Sequence, residues 1–130
     1  MSAAEALLEL VPDPTSPRKA RRFIATALHE WGCEQVEDVA KLLVTEVVTN
    51  AVRYVHSQAV LSARYDGDRL EVRVRDESDM VPTLREVDPE DQSGRGLMLV
   101  NELADHWGVE RSAHGGKTVY FALDCCTRQR

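Results

Sequence analysis

A carboxylate, an amide and a guanidinium lie along one stripe of a predicted helix. Glu46, Asn50 and Arg53 are four and three residues apart, which makes them neighbours on one face of an α-helix. The segment around them is apolar at helical spacing, so the stripe borders a buried face. Polar groups in such a place can bind an ion, a ligand or another protein segment, because burial without a partner costs free energy. The alternative is that the stripe is the solvated edge of an amphipathic helix.

A further carboxylate stands at the end of a predicted strand. Asp76 continues the two-residue alternation of Val72 and Val74, which predicts that its side chain faces the core. A carboxylate at the bottom of an apolar pocket could accept a hydrogen bond from an exocyclic amine such as that of adenine. The alternative is that the strand stops at Arg75 and that Asp76 caps the following turn.

Two glycines precede the apolar run that begins at Leu97. Gly94 and Gly96 flank Arg95, and the run after them is predicted to be a helix. Unpaired backbone N–H groups and the helix dipole favour an anion such as phosphate at a helix N-terminus. Glycines there can also serve only a tight turn. The chain has no GxxxxGK[ST], GxGxxG or HExxH motif, so the usual phosphate-loop, dinucleotide and zinc-hydrolase interpretations fail.

The candidate residues are carried by predicted helices and strands. Thr15 or Ser16 caps the first helix, which has Pro17 in its first turn and stops at Gly32. The other helices are predicted at 34–55 and 94–104. The strands are predicted at 59–65, 70–74, 107–111 and 118–123, with the first two joined into a β-hairpin by the turn at 66–68.

Two remaining segments are less regular. Residues 1–14 contain a short apolar stretch before two prolines, and are either an edge strand or a lead-in. Residues 82–93 are polar and aperiodic, which makes an unusually long loop for a small domain. Such loops are often functional, so this one is interpreted as a lid.

Size, charge and cysteine content exclude several classes of protein. The chain has 130 residues, enough for one domain with a real core. Its formal net charge of −6 argues against binding to the nucleic-acid backbone, which rewards clustered Lys and Arg. The 3 cysteines, two of them adjacent, fit neither a disulfide framework nor a CxxC metal site and favour a reducing, cytoplasmic setting. No apolar run reaches the length of a membrane span.

The order of these motifs resembles that of the Bergerat-fold ATPases, the superfamily of histidine kinases, DNA gyrase and mismatch-repair ATPases. The set is Glu46 and Asn50 on a helix, Asp76 after a strand, a long loop, Gly94-Arg95-Gly96 before a helix, and Gly115-Gly116-Lys117-Thr118 entering the last strand. The likeness is closest to the small anti-sigma-factor serine/threonine kinases of bacteria. It implies one α+β domain over 1–130, a two-layer helix-on-sheet sandwich with a mixed, largely antiparallel sheet and an ATP lid at 82–93.

The resemblance also implies ligands and roles. ATP and Mg²⁺ would be bound, with Asn50 coordinating Mg²⁺, Glu46 acting as general base and Asp76 binding the adenine amine. Mg²⁺ prefers oxygen ligands and needs few protein contacts beside the phosphates. The remaining residues implied in nucleotide binding are Arg53, Ser78, Gly94, Arg95, Gly96, Leu97 and Thr118.

One motif departs from the family pattern. The family has Asp-x-Gly-x-Gly where this chain has Asp-Glu-Ser-Asp-Met at 76–80, without either glycine. Glycines allow the backbone to approach a ligand closely, so their absence narrows or reshapes the pocket. The interpretation here is a variant of the motif, with Ser78 and a later Pro82.

The sequence is therefore consistent with two functions. The first is a protein serine/threonine kinase that phosphorylates an anti-sigma-factor antagonist and has a sigma factor as a second partner. The alternative is a non-catalytic partner-binding regulator that retains the fold; the missing glycines favour it, whereas Glu46 favours the kinase. A histidine kinase is disfavoured because no segment resembles a phosphoacceptor helical hairpin. The likeness favours a homodimer through the N-terminal strand and first helix, without direct contact to nucleic acid or membrane.

Overall fold

The computed structural model describes residues 3–54, 58–77 and 92–125. The helices are α1 (Ser16–Trp31), α2 (Glu37–Tyr54) and α3 (Gln92–Leu103), with a 3₁₀ turn at Glu34–Val36 before α2. The strands are β1 (Ala4–Leu10), β2 (Ala59–Tyr65), β3 (Arg69–Asp76), β4 (His106–Arg111) and β5 (Lys117–Asp124). Within these ranges no helix combines the length and the apolar character needed to cross a bilayer.

One five-stranded sheet has the order β1-β2-β3-β5-β4. Every strand pairing in the described residues is antiparallel. The predicted α+β class and the predicted hairpin are confirmed, whereas the described sheet is wholly antiparallel and not mixed as expected. The apolar stretch near the N-terminus is an edge strand, because β1 pairs with β2 from Ala4 opposite Tyr65 to Leu10 opposite Ala59.

The core lies between one face of the sheet and the helices. Strand residues alternate between this buried face and the opposite face, as period-two patterning predicts. Helices α1 and α2 contact each other and the sheet, and each large apolar side chain they bury contributes about 1.5–3 kcal/mol. The largest fully buried side chains are Phe121, Leu10, Ile24, Leu28, Leu43, Leu61, Leu70, Leu123, Val44, Val48, Val72 and Val74.

The opposite face of the sheet is polar, which limits the fold to two layers. Arg73 forms ion pairs there with Glu110 and, at 3.7 Å, with Glu71. Its guanidinium also lies over the ring of Tyr120, 5.3 Å from the ring centroid. Charged and stacked side chains of this kind keep a sheet face solvated and leave it unsuited to a second apolar layer.

Helix α1 ends as predicted but begins differently. Gly32 stops it in the left-handed conformation, with φ 69°. Thr15 occupies the N-cap position without a side-chain cap, because its hydroxyl donates to Asp13 Oδ1 at 2.7 Å. The hydroxyl of Ser16 donates to the carbonyl of Val11 at 2.6 Å instead. The predicted side-chain cap is therefore not formed.

Two cysteines meet although they are far apart in the chain. The Sγ atoms of Cys33 and Cys125 lie 2.6 Å apart, and both residues are fully buried and not joined in a disulfide. Gln35 Nε2 donates to the carbonyl of Cys125 at 3.0 Å, which ties the end of β5 to the connection between α1 and α2. Chain spacing alone did not predict this contact.

The interpretation of residues 82–93 as a lid falls almost entirely outside the described residues. Only its last two positions are described, and they belong to α3, which begins at Gln92. Gly94 and Gly96 therefore lie inside the first turns of this helix and not before it.

The hairpin turn makes stability depend on pH. Asp66 Oδ1 accepts the N–H groups of Asp68 and Arg69, each at 2.9 Å. These bonds stabilise the ionised carboxylate and lower the pKa of Asp66 below 3.8. Its contribution is therefore fully present above pH 3.8 and is lost as the pH falls through the lower folded-state pKa.

Asp66→Asn should remove this part of the acid dependence, since an amide does not titrate. We expect wild type and variant to converge in urea midpoint as the pH falls from about 6 to about 3. Asp68→Asn makes the same change in net charge and is the matched control. A stability difference between wild type and Asp66→Asn that stays constant over this range would contradict the assignment.

Candidate functional site

Asp76 lies at the end of β3 and faces the core. The strand continues through this residue and does not stop at Arg75, so Asp76 keeps the phase of Val72 and Val74. Only 2% of Asp76 is exposed. The inward orientation predicted from the alternation is therefore what the structure shows.

The carboxylate of Asp76 is paired with a buried ammonium group. Lys117, the first residue of β5, is the direct cross-strand partner of Asp76. Its Nζ donates to Oδ1 and to Oδ2, each at 3.0 Å, and 6% of Lys117 is exposed. Charge-assisted bonds of this kind are about twice as strong as neutral ones. Sequence reasoning did not select Lys117, although its period-two phase with Val119 would have placed it inward.

A glycine holds this pair in register. Gly116 precedes Lys117 and has φ 86°, a conformation that side chains disfavour. A Cβ atom at Gly116 would lie 2.7 Å from the backbone oxygen of Asp76. The first residue of β5 can therefore approach the end of β3 only with glycine before it.

The structure does not bring Thr118 to the Asp76 carboxylate. Thr118 is the cross-strand neighbour of Arg75 on one side and of Glu110 on the other. Since successive strand residues point to opposite faces, Thr118 faces away from the side that holds Lys117 and Asp76. Lys117 takes the place beside the carboxylate that was expected for a threonine.

Asn50 on α2 has an unsatisfied amide oxygen. Its Oδ1 is buried and accepts no hydrogen bond within the described part of the chain. Neighbouring polar side chains are satisfied by the helix itself: Thr45 donates to Lys41 O at 2.7 Å and Thr49 to Thr45 O at 2.6 Å. An orphaned buried acceptor costs about 1–3 kcal/mol, so the Oδ1 atom of Asn50 requires an explanation such as a bound water, ion or ligand.

Glu46 lies one helical turn before Asn50 and is half-buried. The spacing predicted from the sequence is therefore preserved, since α2 is regular over both residues. Arg53 is also on α2, but its side chain lies outside the described residues, as does the whole of Ser78.

The topology places these residues at one end of the sheet. After α2 the chain enters β2, where Val60 pairs with Arg75 directly beside Asp76. The C-terminal part of α2, which holds Asn50, thus leads to the end of the sheet where Asp76 and Lys117 meet.

Helix α3 is anchored at the opposite end. It is followed at once by β4, whose first residue pairs with Ala122 near the end of β5. Trp107 Nε1 donates to Asn101 Oδ1 at 3.0 Å and fixes this C-terminal part of α3. The first turns of α3 are at the other end of the helix from the Trp107–Asn101 contact. They contain Gly94, Arg95, Gly96 and Leu97. The side chains of these four residues lie outside the described set.

The donor set fits Mg²⁺ shared with a phosphate group. Within residues 3–54, 58–77 and 92–125, no group of three or more His, Cys, Asp or Glu side chains is arranged to hold a metal ion. The buried oxygen of Asn50 is a donor of the type that Mg²⁺ accepts, and Mg²⁺ commonly completes its coordination with ligand oxygens and water.

A family model described as the histidine kinase-like ATPase domain matches residues 10–123. The matched range includes Asn50, Asp76 and Lys117. No curated protein matches the chain.

Gly116→Ala should lower stability more than Gly67→Ala. Both glycines have positive φ, 86° and 97°, and strain of this kind costs roughly 1–3 kcal/mol. Only at Gly116 does the added methyl group meet a backbone atom, whereas nothing lies within 4 Å at Gly67. Urea denaturation of the two variants checks this, and equal losses would show that Gly116 does not hold the Asp76–Lys117 register.

Proposed function

The chain belongs to the family of histidine kinase-like ATPase domains, and on that basis we propose that it is an ATP-binding serine/threonine protein kinase whose substrate is an anti-sigma-factor antagonist. The observation that best supports nucleotide binding is the buried, unsatisfied Oδ1 of Asn50. This atom lies on the helix that also carries Glu46, the proposed catalytic base.

Asn50 would hold Mg²⁺ through its amide oxygen. The ion, when bound, neutralises phosphate charge and orients the transferred group. For the protein, binding satisfies the orphaned acceptor, so the free energy lost by burying Oδ1 is regained only in the complex. The affinity for magnesium and the affinity for nucleotide would therefore both depend on the side chain of Asn50.

Glu46 would accept the proton of the target hydroxyl. A general base must lie within hydrogen-bond reach of that proton and must be charged when it acts. Glu46 is half-buried at the border of the core, close enough to Asn50 to address the same phosphate group from one helix face. Arg95, at the start of α3, is proposed to offset charge on that group.

The second candidate is a regulator that binds partners without phosphorylating them. In this candidate the ion pair of Asp76 with Lys117 has a structural role alone, with both carboxylate oxygens accepting bonds from Lys117. A basic surface on α1 favours partner capture. Its members are exposed and form no ion pair within the described residues; they are Arg18, Lys19, Arg21 and Arg22.

The position of these four basic residues lowers the stability of α1 when the helix is considered without a partner. Cations near a helix N-terminus oppose the helix dipole, and no acidic residue occupies the first turn of α1. An acidic protein surface would compensate these charges. Both candidates can use such a contact, and transfer of labelled phosphate to the bound partner separates them.

Asn50→Ala and Glu46→Gln should separate binding from chemistry. Asn50→Ala should weaken magnesium-dependent ATP binding, measured by calorimetry, because the amide oxygen is lost. Glu46→Gln should keep ATP and partner binding but slow phosphoryl transfer by about 10² to 10⁴. Thr49→Val is the matched control, since the Thr49 hydroxyl bonds only to the backbone of α2 within the described residues.

Two outcomes would contradict this assignment. Transfer by Glu46→Gln at the wild-type rate would show that Glu46 is not the base. A wild type that binds its partner tightly, binds ATP and yet transfers nothing would replace the kinase with the partner-binding regulator.

The proposal includes a homodimer through β1 and α1. As the edge strand, β1 has one unpaired side, and Leu7 on it is 63% exposed. A charge at the edge would oppose strand addition, so Leu7→Lys should shift the protein to the monomer in sedimentation equilibrium. Val60→Lys, on β2 within the sheet, is the control for a charge added elsewhere. A wild type that is monomeric at all concentrations would rule the dimer out.

A further inference from the structure

We infer that Lys117 contacts the purine base, and that Lys117 and Asp76 together bind its Watson–Crick edge. Lys117 is the hydrogen-bond donor and Asp76 is the acceptor. This inference rests on the proposed nucleotide binding. It concerns a residue that was not among the candidates from sequence and that faces the helices from the start of β5.

Stability alone does not account for the pair. The other inward positions of the two strands are apolar: Leu70, Val72 and Val74 on β3, and Val119, Phe121 and Leu123 on β5. A buried ion pair in such a setting is often replaced by apolar residues without loss of stability, because desolvation offsets the attraction. The retention of both charges at the end of the sheet is therefore consistent with a role in binding.

The ammonium group retains a donor. Lys has three N–H donors, and two bonds from Nζ reach the oxygens of Asp76. Within the described residues the third has no partner. A carboxylate offers about four lone-pair sites, and the bonds from Lys117 use two of them on Asp76.

These groups match the edge of adenine. Adenine presents the N6 amine as donor and N1 as acceptor, side by side on one edge. Asp76 would accept from the amine while Lys117 donates to N1. Guanine presents an acceptor and a donor in the opposite order, O6 and N1–H, so the pair by itself admits either purine.

The backbone fixes the two groups in this relation. They are cross-strand partners at the ends of β3 and β5, and Gly116 lets the strands approach where a Cβ atom would meet the carbonyl of Asp76. Pre-organisation of this kind reduces the entropy that binding must offset.

The test uses an ATP analogue that lacks one acceptor. In 1-deaza-ATP a C–H group replaces N1, while the amine and phosphates remain. We expect wild type to bind it at least about 10-fold more weakly than ATP in magnesium-containing calorimetry, as for the loss of a hydrogen bond to a charged group. Lys117→Met, which keeps the aliphatic stem, should bind ATP and 1-deaza-ATP equally.

A second analogue is the internal control. Purine riboside triphosphate lacks the exocyclic amine but keeps N1, so Lys117→Met should still discriminate against it through Asp76. Should Lys117→Met fail to fold, the two analogues on wild type still test the contact to N1.

Failure of this inference can be distinguished from failure of the proposed function. If wild type binds ATP and 1-deaza-ATP equally, Lys117 does not contact N1, and the inference is wrong while the proposed function stands. Tighter ATP binding by Lys117→Met than by wild type would mean that Lys117 competes with the nucleotide for Asp76, which also overturns the inference. If wild type binds no ATP, the proposed function falls together with the inference.

Discussion

The antiparallel pairing of β3 with β5 is the constraint on which the candidate site depends. It sets Asp76 opposite Lys117 and is continuous from the ends of the strands at Arg69 and Asp124. A shift of one residue would move every side chain to the opposite face, placing Thr118 and not Lys117 beside the carboxylate. The apolar residues that fill the core thus also determine which polar group meets Asp76.

Helix α2 supplies the other part of the candidate site. On α2 the side chains that could compete for Asn50 bond to their own helix, as Thr45 and Thr49 do. The amide oxygen of Asn50 is left as the acceptor without a partner in the described residues. The site therefore combines a satisfied ion pair on the sheet with an unsatisfied acceptor on the helix.

Periodic patterns predicted much of this arrangement. The alternation through Val72 and Val74 indicated the orientation of Asp76, and helical spacing placed Glu46 beside Asn50, because both depend only on local geometry. The contacts of Lys117 and of the Cys33 and Cys125 thiols were not predicted. They join residues 41 and 92 positions apart, respectively, and depend on sheet order and register, which local patterns do not specify. The start of α3 was predicted at 94, two residues after its observed start at Gln92, because Gly94 was taken as the boundary.

The same long-range pairing has a consequence for how the chain acquires its native state. Only β2–β3 and β4–β5 are local hairpins, whereas β1–β2 and β3–β5 close large loops whose entropic cost precedes any gain from contact. The pair formed by Asp76 and Lys117 belongs to the second kind. The proposed contact of this pair with the base would therefore require the completed sheet, and a chain with only the two hairpins formed would lack it.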